Sequence, residues 1–218
     1  MVEVINLGEQ NSIFNQYIME IRNVEIQKDS MRFRRNIERM GEIFAYEISK
    51  RLDYSPELIT TPLGQCDINL VEKQPVIATV LRAGLPLHYG LLNYFDRADN
   101  AFVSAYRMHI APDDFEVKVE YISSPDLQER TLILCDPMLA SGQSMLLSYE
   151  ALLEAYGNPK HVHIVSVISS SEGIQHVKKH VKSNVTIWTG AIDSEMTAQS
   201  YIVPGLGDAG DLAFGKKE

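Results

Sequence analysis

The 218-residue chain is poor in cysteine, in long apolar runs and in net positive charge. Its two cysteines, Cys66 and Cys135, lie far apart and match no metal-binding spacing, so we expect two reduced thiols. No apolar run approaches the roughly 20 residues that span a bilayer. The first residues lack the basic and then apolar pattern of a secretory signal, which favours a cytoplasmic protein that does not contact membranes.

The formal net charge of −9 makes a general nucleic-acid-binding surface unexpected, because such surfaces are basic. A small polyanion can still bind an acidic chain if a few arginines, backbone N–H groups or a metal ion hold it locally. Hydrophobic residues make up 45% of the chain and charged residues 22%, as in ordinary globular proteins. The composition therefore disfavours nucleic acid as a partner and leaves small anionic ligands open.

The sequence contains no repeat, no low-complexity segment and no linker rich in Pro, Gly and Ser. We therefore predict a single domain over residues 1–218, with a helical segment at about 11–52 that includes a long amphipathic helix at 29–52. Residues 59–71 are predicted to form a short β arm. Apolar runs then alternate with helical patterns, which predicts an α/β fold: a mostly parallel sheet flanked by helices. The predicted strands are 75–81, 101–106, 117–122, 130–135, 162–168 and 185–189, and the predicted helices among them are 85–95, 144–156 and 172–181.

A loop over residues 136–144 joins a predicted strand to a predicted helix. Ligands of parallel sheets lie beyond the carboxyl ends of the strands, and the unpaired N–H groups and dipole of a helix start attract anions. The hydroxyls of Ser141 and Ser144 add donors, Gly142 lets the backbone approach a ligand, and Asp136 suits sugar hydroxyls or metal-bound water. The pattern alone allows a phosphate site and a plain strand-to-helix turn equally, because such helix starts are common. The loop, called the phosphate loop below, consists of Asp136, Pro137, Met138, Leu139, Ala140, Ser141, Gly142, Gln143 and Ser144.

The phosphate loop resembles the phosphoribosyl-diphosphate loop of uracil phosphoribosyltransferases, whose usual form is Asp-Pro-Met-Leu-Ala-Thr-Gly-Gly-Ser. Two positions depart from that form. Ser141 replaces a threonine and keeps its hydroxyl, whereas Gln143 replaces a glycine. A side chain at position 143 would be strained if the backbone there needs a positive φ. By this resemblance the whole loop binds phosphoribosyl diphosphate.

Residues 201–211, called the base segment below, resemble the uracil-binding segment of the same family almost residue for residue. Three glycines and Pro204 predict an irregular backbone, whose own N–H and C=O groups can match the edge of a flat base. The resemblance also implies that Asp208 lies beside the ribosyl diphosphate or its Mg²⁺. Leu212, where the family has a basic residue, and residues 195–200 depart from the family pattern. The residues that the resemblance assigns to uracil are Tyr201, Ile202, Gly207, Asp208 and Ala209.

Two shorter segments also match the family, and each has an arginine at the end of a predicted strand. The resemblance assigns Arg82 and Arg107 to the diphosphate, for which the donor fork of arginine is suited. Without the family, a lone arginine in such a place is more readily explained by a surface ion pair. Residues 108–126 resemble the family's mobile loop, which can close over the site and exclude water.

The resemblance covers about residues 29–215 and implies a type I phosphoribosyltransferase fold, which is Rossmann-like, with a base-binding region at about 190–215. It implies the reaction of uracil with 5-phosphoribosyl 1-diphosphate to uridine 5′-phosphate and diphosphate, in pyrimidine salvage. Mg²⁺ is the implied cofactor, and Arg82, Arg107 and Asp136 are the implied catalytic residues, which act by positioning and charge neutralisation. The family also implies at least a homodimer and leaves open a nucleotide effector such as GTP.

Three alternatives stay open at the level of the sequence. They are a phosphoribosyltransferase-like regulatory protein that binds nucleotides or RNA, a transferase for another base such as a purine, and a weakened paralogue. The net charge disfavours the first, the base segment disfavours the second, and Gln143 and Leu212 motivate the third. None of the histidines is assigned to a metal, and His161 and His163 are expected at the exposed start of a strand. Asp193 receives no role.

Overall fold

The computed structural model describes residues 2–111, 114–182 and 184–216, with the side chains of residues 105–118 outside that description. The strands are β1 (Glu3–Asn6), β2 (Tyr54–Thr61), β3 (Gly64–Val71), β4 (Val76–Leu81), β5 (Asp99–Ala111), β6 (Asp114–Ser123), β7 (Thr131–Cys135), β8 (Met138–Leu139), β9 (His161–Ser170), β10 (Val185–Asp193), β11 (Glu195–Met196) and β12 (Ile202–Val203). The α-helices are α1 (Ile13–Arg22), α2 (Ser30–Ser49), α3 (Leu85–Leu92), α4 (Gln143–Tyr156), α5 (Ser171–His180) and α6 (Ala209–Phe214).

The described residues form one central sheet of eight strands. Its order is β1-β10-β9-β7-β4-β5-β6, with β8 paired to β9 beyond the end of β7. All neighbouring pairs are parallel except β5 with β6. The central strands β4, β7 and β9 are buried over nearly their whole length. This agrees with their sequences, since strands covered on both faces are continuous apolar runs. The predicted α/β fold with a mostly parallel sheet is confirmed.

Helices cover both faces of this sheet. Alternate residues of a strand point to opposite faces, so Ile77 and Ile133 join one core cluster while Ala78 and Leu134 join the other. Helices α1, α2 and α3 pack on the first cluster, and α4 and α5 pack on the second. The amphipathic pattern of α2 becomes its buried side, which consists of Phe33, Ile37, Met40, Phe44 and Ile48.

The β arm is longer than its sequence pattern predicted. It begins at Tyr54 rather than at residue 59, and β2 and β3 pair antiparallel from Tyr54 with Val71 to Thr61 with Gly64. These two strands form their own small sheet within the described part of the chain, and most of their side chains are exposed. Without a buried face there is no hydrophobic alternation to reveal where such a strand begins.

Candidate functional site

The connections of the sheet change direction at the carboxyl ends of β4 and β7. From β4 the chain passes through α3 to β5 on one side, and from β7 it passes through α4 to β9 on the other side. Loops that leave adjacent strands in opposite directions open a crevice, the usual ligand site of an open α/β sheet. Arg82 follows β4 and the phosphate loop follows β7, so the fold brings these two predicted site segments together.

The first half of the phosphate loop is fixed to β9 by backbone hydrogen bonds. The carbonyl of Pro137 accepts from the N–H groups of Val167 and Ile168, both at 3.0 Å. Oδ1 of Asp136 accepts from the N–H of Met138 at 3.3 Å, and β8 then pairs with the end of β9. The loop therefore leaves the sheet only after β8, and the sheet determines where the rest of it begins.

The second half of the loop is held by the start of α5. Oγ of Ser170 donates to the carbonyl of Ala140 at 2.6 Å and accepts from the N–H of Gly173 at 2.8 Å, which caps α5. A Cβ on Gly173 would lie 2.1 Å from the carbonyl oxygen of Ala140. Only a residue without a side chain allows α5 to approach the loop this closely.

The start of α4 completes the loop and removes the conflict predicted for Gln143. Gly142 caps the helix with a φ of +81°, a left-handed conformation that glycine adopts without steric cost. Gln143 is the first residue of α4 and does not have a positive φ, so its side chain causes no strain there. The N–H of Gln143 lies 3.5 Å from Oγ of Ser141, too far for a strong hydrogen bond. The amides and dipole of this helix start are thus suited to an anion.

The base segment is irregular mainly in its middle. β12 pairs with β11 and α6 begins at Ala209, which leaves residues 204–208 without regular structure. The Val203–Pro204 peptide bond is cis. Oδ1 of Asp208 accepts from the N–H of Asp211 at 2.9 Å and so caps α6. The predicted irregular backbone is confirmed for the centre of the segment and is wrong for its two ends.

The base segment lies against the loop that follows β4. Nη2 of Arg82 donates to the carbonyl of Gly215 at 3.2 Å, and a Cβ on Gly210 would lie 3.9 Å from the Cβ of Ala83. The Leu81–Arg82 peptide bond is cis. Of the residues assigned to uracil by resemblance, three are exposed and two are buried: Tyr201, Gly207 and Asp208, and Ile202 and Ala209 respectively.

The helix that ends the base segment is held by α2. Leu212 packs, partly buried, on the core cluster of the first face, so its apolar side chain is accommodated where the family has a basic one. Nη1 of Arg34 donates to the carbonyl of Ala213 at 2.6 Å, and its guanidinium lies 6.0 Å from the centre of the Phe214 ring. The side chain of Arg34 thus links α2 to this helix.

Arg107 lies on β5 opposite Val117 of β6, and its side chain is outside the described residues. Its assignment to the diphosphate stays a prediction. Residues 108–111 and 114–123 belong to β5 and β6. The described part of the segment that resembles a mobile loop is therefore mainly strand, while residues 112–113 lie outside the description.

Cys135 and His163 are buried titratable groups on strands of the central sheet, and neither is a nucleophile. Burial raises the pKa of the Cys135 thiol to about 12, so it is protonated at neutral pH. Burial, with the charges of His161 and Arg51, lowers the pKa of His163 to about 3. Nδ1 of His163 accepts from Nε1 of Trp188 at 3.0 Å. The expectation that His163 is exposed is wrong, because its ring lies against Trp188 on the face of the sheet that α1 and α2 cover.

The structure adds two residues that the sequence did not single out. Arg22, at the end of α1, pairs with Asp193, at the end of β10, and both contact the backbone of Gly205 in the centre of the base segment. No local pattern identifies this contact, because the paired residues are 171 positions apart.

In the parts of the chain that the structure describes, no group of three His, Cys, Asp or Glu side chains is placed to hold a metal ion. Neither Asp136 nor Asp208, the carboxylates of the predicted site, belongs to such a group. Over the same residues, no helix combines the length and the apolar character needed to cross a bilayer.

Comparison with solved structures first identifies the fold. The fold matches the structure of protein AQ2163 from Aquifex aeolicus with a TM-score of 0.86 at 24% identity, covering 97% of this chain and 98% of that one. It also matches adenine phosphoribosyl transferase from Trypanosoma brucei, in complex with AMP, pyrophosphate and ribose-5-phosphate, with a TM-score of 0.55 at 13% identity, over 88% of this chain and 84% of that one. The fold is that of the phosphoribosyltransferases.

Comparison of sequences then defines the family. The family model described as uracil phosphoribosyltransferase matches residues 9–216. The uracil phosphoribosyltransferase of Porphyromonas gingivalis is 53% identical over 216 residues, which cover 99% of this chain and 100% of that protein. The chain belongs to the uracil phosphoribosyltransferase family, a family of enzymes, and the prediction made from the phosphate loop and the base segment is confirmed.

Proposed function

We propose that the protein transfers the phosphoribosyl group of 5-phosphoribosyl 1-diphosphate to N1 of uracil, which yields uridine 5′-phosphate and diphosphate in pyrimidine salvage. The bond from C1′ to the diphosphate oxygen breaks, the bond from C1′ to N1 forms, and uracil loses its N1 proton. The observation that supports this most directly is the convergence of three segments at one crevice. The phosphate loop and Arg82 follow adjacent strands, and Arg82 contacts Gly215 just beyond the base segment at 3.2 Å.

Charge neutralisation on the leaving diphosphate is the main catalytic task in this proposal. Arg82 and Arg107 donate to the diphosphate oxygens, which stabilises the charge that develops as the bond to C1′ breaks. Mg²⁺, when bound with the diphosphate, supplies further positive charge. Mg²⁺ is commonly held by one or two carboxylates together with substrate phosphates, and the single carboxylates Asp136 and Asp208 fit such a donor set.

The phosphate loop binds the 5′-phosphate, and Asp136 binds the ribose hydroxyls. The N–H groups at the start of α4 and the hydroxyls of Ser141 and Ser144 donate to phosphate oxygens. An ionised carboxylate only accepts hydrogen bonds, so Asp136 suits hydroxyl donors and not phosphate. No covalent nucleophile is required, in keeping with the protonated thiol of Cys135. The loop thus holds C1′ in line with the base.

The base segment recognises uracil through its backbone. Tyr201, Ile202, Gly207, Asp208 and Ala209 form the uracil site in this proposal. Uracil and cytosine differ at position 4, where one has a carbonyl and the other an amino group. A backbone partner that matches the carbonyl of uracil meets the wrong group in cytosine and stays unpaired, which disfavours cytosine strongly.

A panel of bases tests the proposal. The protein is incubated with phosphoribosyl diphosphate and Mg²⁺, and uracil, cytosine, hypoxanthine and xanthine are offered separately while diphosphate release is followed. We expect release with uracil alone, and its loss when the metal is chelated with EDTA. Release with a purine would indicate a transferase for another base. Absence of release with every base, together with specific RNA binding, would favour the regulatory alternative.

Arg107→Ala tests the assignment of the diphosphate site. We expect turnover to fall by about 100-fold or more, because the developing charge loses one donor. Arg97→Ala, an exposed arginine that precedes β5, is the matched control and should keep the wild-type rate. Wild-type turnover in Arg107→Ala would remove this arginine from the mechanism.

We also propose at least a homodimer in the cytoplasm. The β arm exposes large apolar side chains, among them Leu58, Leu63 and Ile68, which a second copy of the chain would cover. Cys66 and Cys135 are both unpaired, as in a reducing compartment. Light scattering would contradict the dimer if it gave the mass of a single chain.

Addition of GTP to the uracil assay tests whether a nucleotide effector raises the rate.

A further inference from the structure

Two charged side chains from opposite ends of the sequence meet at the centre of the base segment. Nη1 of Arg22 lies 2.8 Å from Oδ2 of Asp193, and Nη2 lies 2.9 Å from Oδ1. The pair is therefore bidentate, which fixes the orientation of both groups. Arg22 is the last residue of α1 and Asp193 the last residue of β10, so two regular elements determine where the pair lies.

The pair holds both polar groups of one backbone position. Nη1 of Arg22 also donates to the carbonyl of Gly205 at 3.0 Å, and the N–H of Gly205 donates to Oδ2 of Asp193 at 3.0 Å. Gly205 lies between Ile202 and Gly207, inside the part of the base segment that has no regular structure. Neither a sheet ladder nor a helix fixes the backbone there, so these two contacts, together with the buried side chain of Leu206, hold it in place.

Burial makes each member of the pair depend on the other. The side chains of Asp193 and Arg22 are 9% and 20% exposed, so water replaces a lost partner poorly. A buried ion pair contributes little net stability over an apolar pair of the same shape, whereas removal of one partner leaves a buried charge unpaired. A role in holding Gly205 accounts for this costly pair better than stability does.

We infer that Arg22 and Asp193 are positioning residues for uracil recognition. They hold Gly205 and thereby determine where the residues that follow, Gly207 to Ala209, present their N–H and C=O groups to the base. Neither side chain touches the substrate. The positioning role rests on the proposed function, because it concerns how that same site selects uracil. Recognition by backbone groups tolerates displacements of only about 0.5 Å, so a small movement of Gly205 weakens base binding while the phosphate loop stays in place.

Asp193→Asn tests the inference, since it keeps the size of the side chain and removes the charge that holds Arg22. We expect the KM for uracil to rise about 10- to 100-fold, as for a displacement of up to 1 Å. The KM for phosphoribosyl diphosphate should stay within about twofold, and the preference for uracil over cytosine should decrease. Arg22→Lys should give the same split in weaker form, because one ammonium replaces only part of the bidentate fork.

Asp99→Asn is the matched control. Nη2 of Arg130 donates to Oδ2 of Asp99 at 2.9 Å and to the carbonyl of Gln74 at 3.1 Å, so an arginine again joins a carboxylate to a backbone carbonyl, but at the opposite, amino-terminal edge of the sheet and with a more exposed carboxylate. This variant should leave both KM values unchanged.

The outcomes separate the two proposals. If the wild-type protein turns over no uracil, the proposed function fails. If the wild type is active but Asp193→Asn and Arg22→Lys both keep the wild-type KM for uracil, or raise both KM values equally, the positioning role is overturned. If Asp193→Asn does not fold, as judged by its circular dichroism and melting curve, the same comparison is decided on Arg22→Lys.

Discussion

The phosphate loop and the base segment lie at the same end of the sheet, but different forces hold them. The phosphate loop is bonded to β9 through the carbonyl of Pro137 and lies in close contact with the start of α5 at Gly173. The base segment packs Ile202, Leu206 and Ala209 into the core, but its irregular centre has no strand or helix and is held there by Arg22 and Asp193. Backbone contacts thus hold the phosphate loop, and charged side chains hold the centre of the base segment.

This difference predicts different weak points for the two halves of the site. A backbone held by the sheet is displaced only by a steric clash or a lost cap, and its displacement concerns the sugar phosphate. A backbone held by long side chains responds to a change of charge, and its displacement concerns the base. Substitutions should therefore separate the KM for phosphoribosyl diphosphate from the KM for uracil.

Gly173→Ala should have the largest effect. Its Cβ would lie 2.1 Å from the carbonyl oxygen of Ala140, so α5 or the phosphate loop must move. We expect the KM for phosphoribosyl diphosphate to rise about 100-fold and the free energy of unfolding to fall by about 1–3 kcal/mol. Steady-state kinetics and denaturant melts measure both. In the control Gly64→Ala, at the turn of the arm, a Cβ meets nothing within 4 Å. A change below threefold in Gly173→Ala would show that the close packing does not position the loop.

Ser170→Ala should have the next largest effect. It removes the cap of α5 and the hydrogen bond to the carbonyl of Ala140, which together contribute about 1–2 kcal/mol. The KM for phosphoribosyl diphosphate should rise about tenfold, and the KM for uracil should not change. Ser12→Ala removes the cap of α1, where Oγ accepts from the N–H of Phe14 at 3.2 Å, and should reduce stability alone. An equal rise of both KM values in Ser170→Ala would contradict the prediction that the two regions are held independently.

Arg34→Met should affect the base segment more mildly. It removes the donor to the carbonyl of Ala213 but keeps an apolar stem near Phe214. The KM for uracil should rise about threefold to fivefold, as for one hydrogen bond at the edge of the segment. Arg35→Met is the adjacent control, because Arg35 pairs with Glu38 on α2 itself at 2.7 Å. If the two variants behave alike, the contact with α6 does not support the base site.

Gln143→Gly should have the smallest effect, although it restores the residue usual in the family. The positive φ falls on Gly142, and Gln143 is already helical and exposed. We expect turnover within about twofold of wild type, and a stability loss of less than about 1 kcal/mol from the lower helix propensity of glycine. A tenfold gain in activity would instead identify the chain as a paralogue weakened at this position.

Residues close in sequence were sufficient to predict much of the fold and of the site. Continuous apolar runs identified β4, β7 and β9, and the alternation with helical patterns identified the parallel sheet. The phosphate loop was found because a strand, a glycine and a helix start are adjacent in the chain. The family resemblance, and not the spacing alone, then supplied uracil and the roles of Arg82 and Arg107.

Two incorrect predictions share one cause. His163 was expected at an exposed strand start, and the arm was expected to be shorter. Both depend on what lies beside a strand in space, which the composition of the strand does not specify. The side chains of β9 are covered because helices pack on both faces of the sheet, and those of β2 are exposed because no residue of β2 belongs to either core cluster.

The sequence by itself determined the strand-and-helix pattern, the phosphate loop and the base segment, because hydrophobic periodicity and glycine conformations act over a few neighbouring residues. Only the tertiary structure decided that Gly142, and not Gln143, takes the left-handed conformation. It also decided that Gly173 packs on Ala140, and that Arg22 meets Asp193 across 171 positions of the chain. Such contacts depend on the order of the strands in the sheet. That order arises when the whole core packs, and no local segment encodes it.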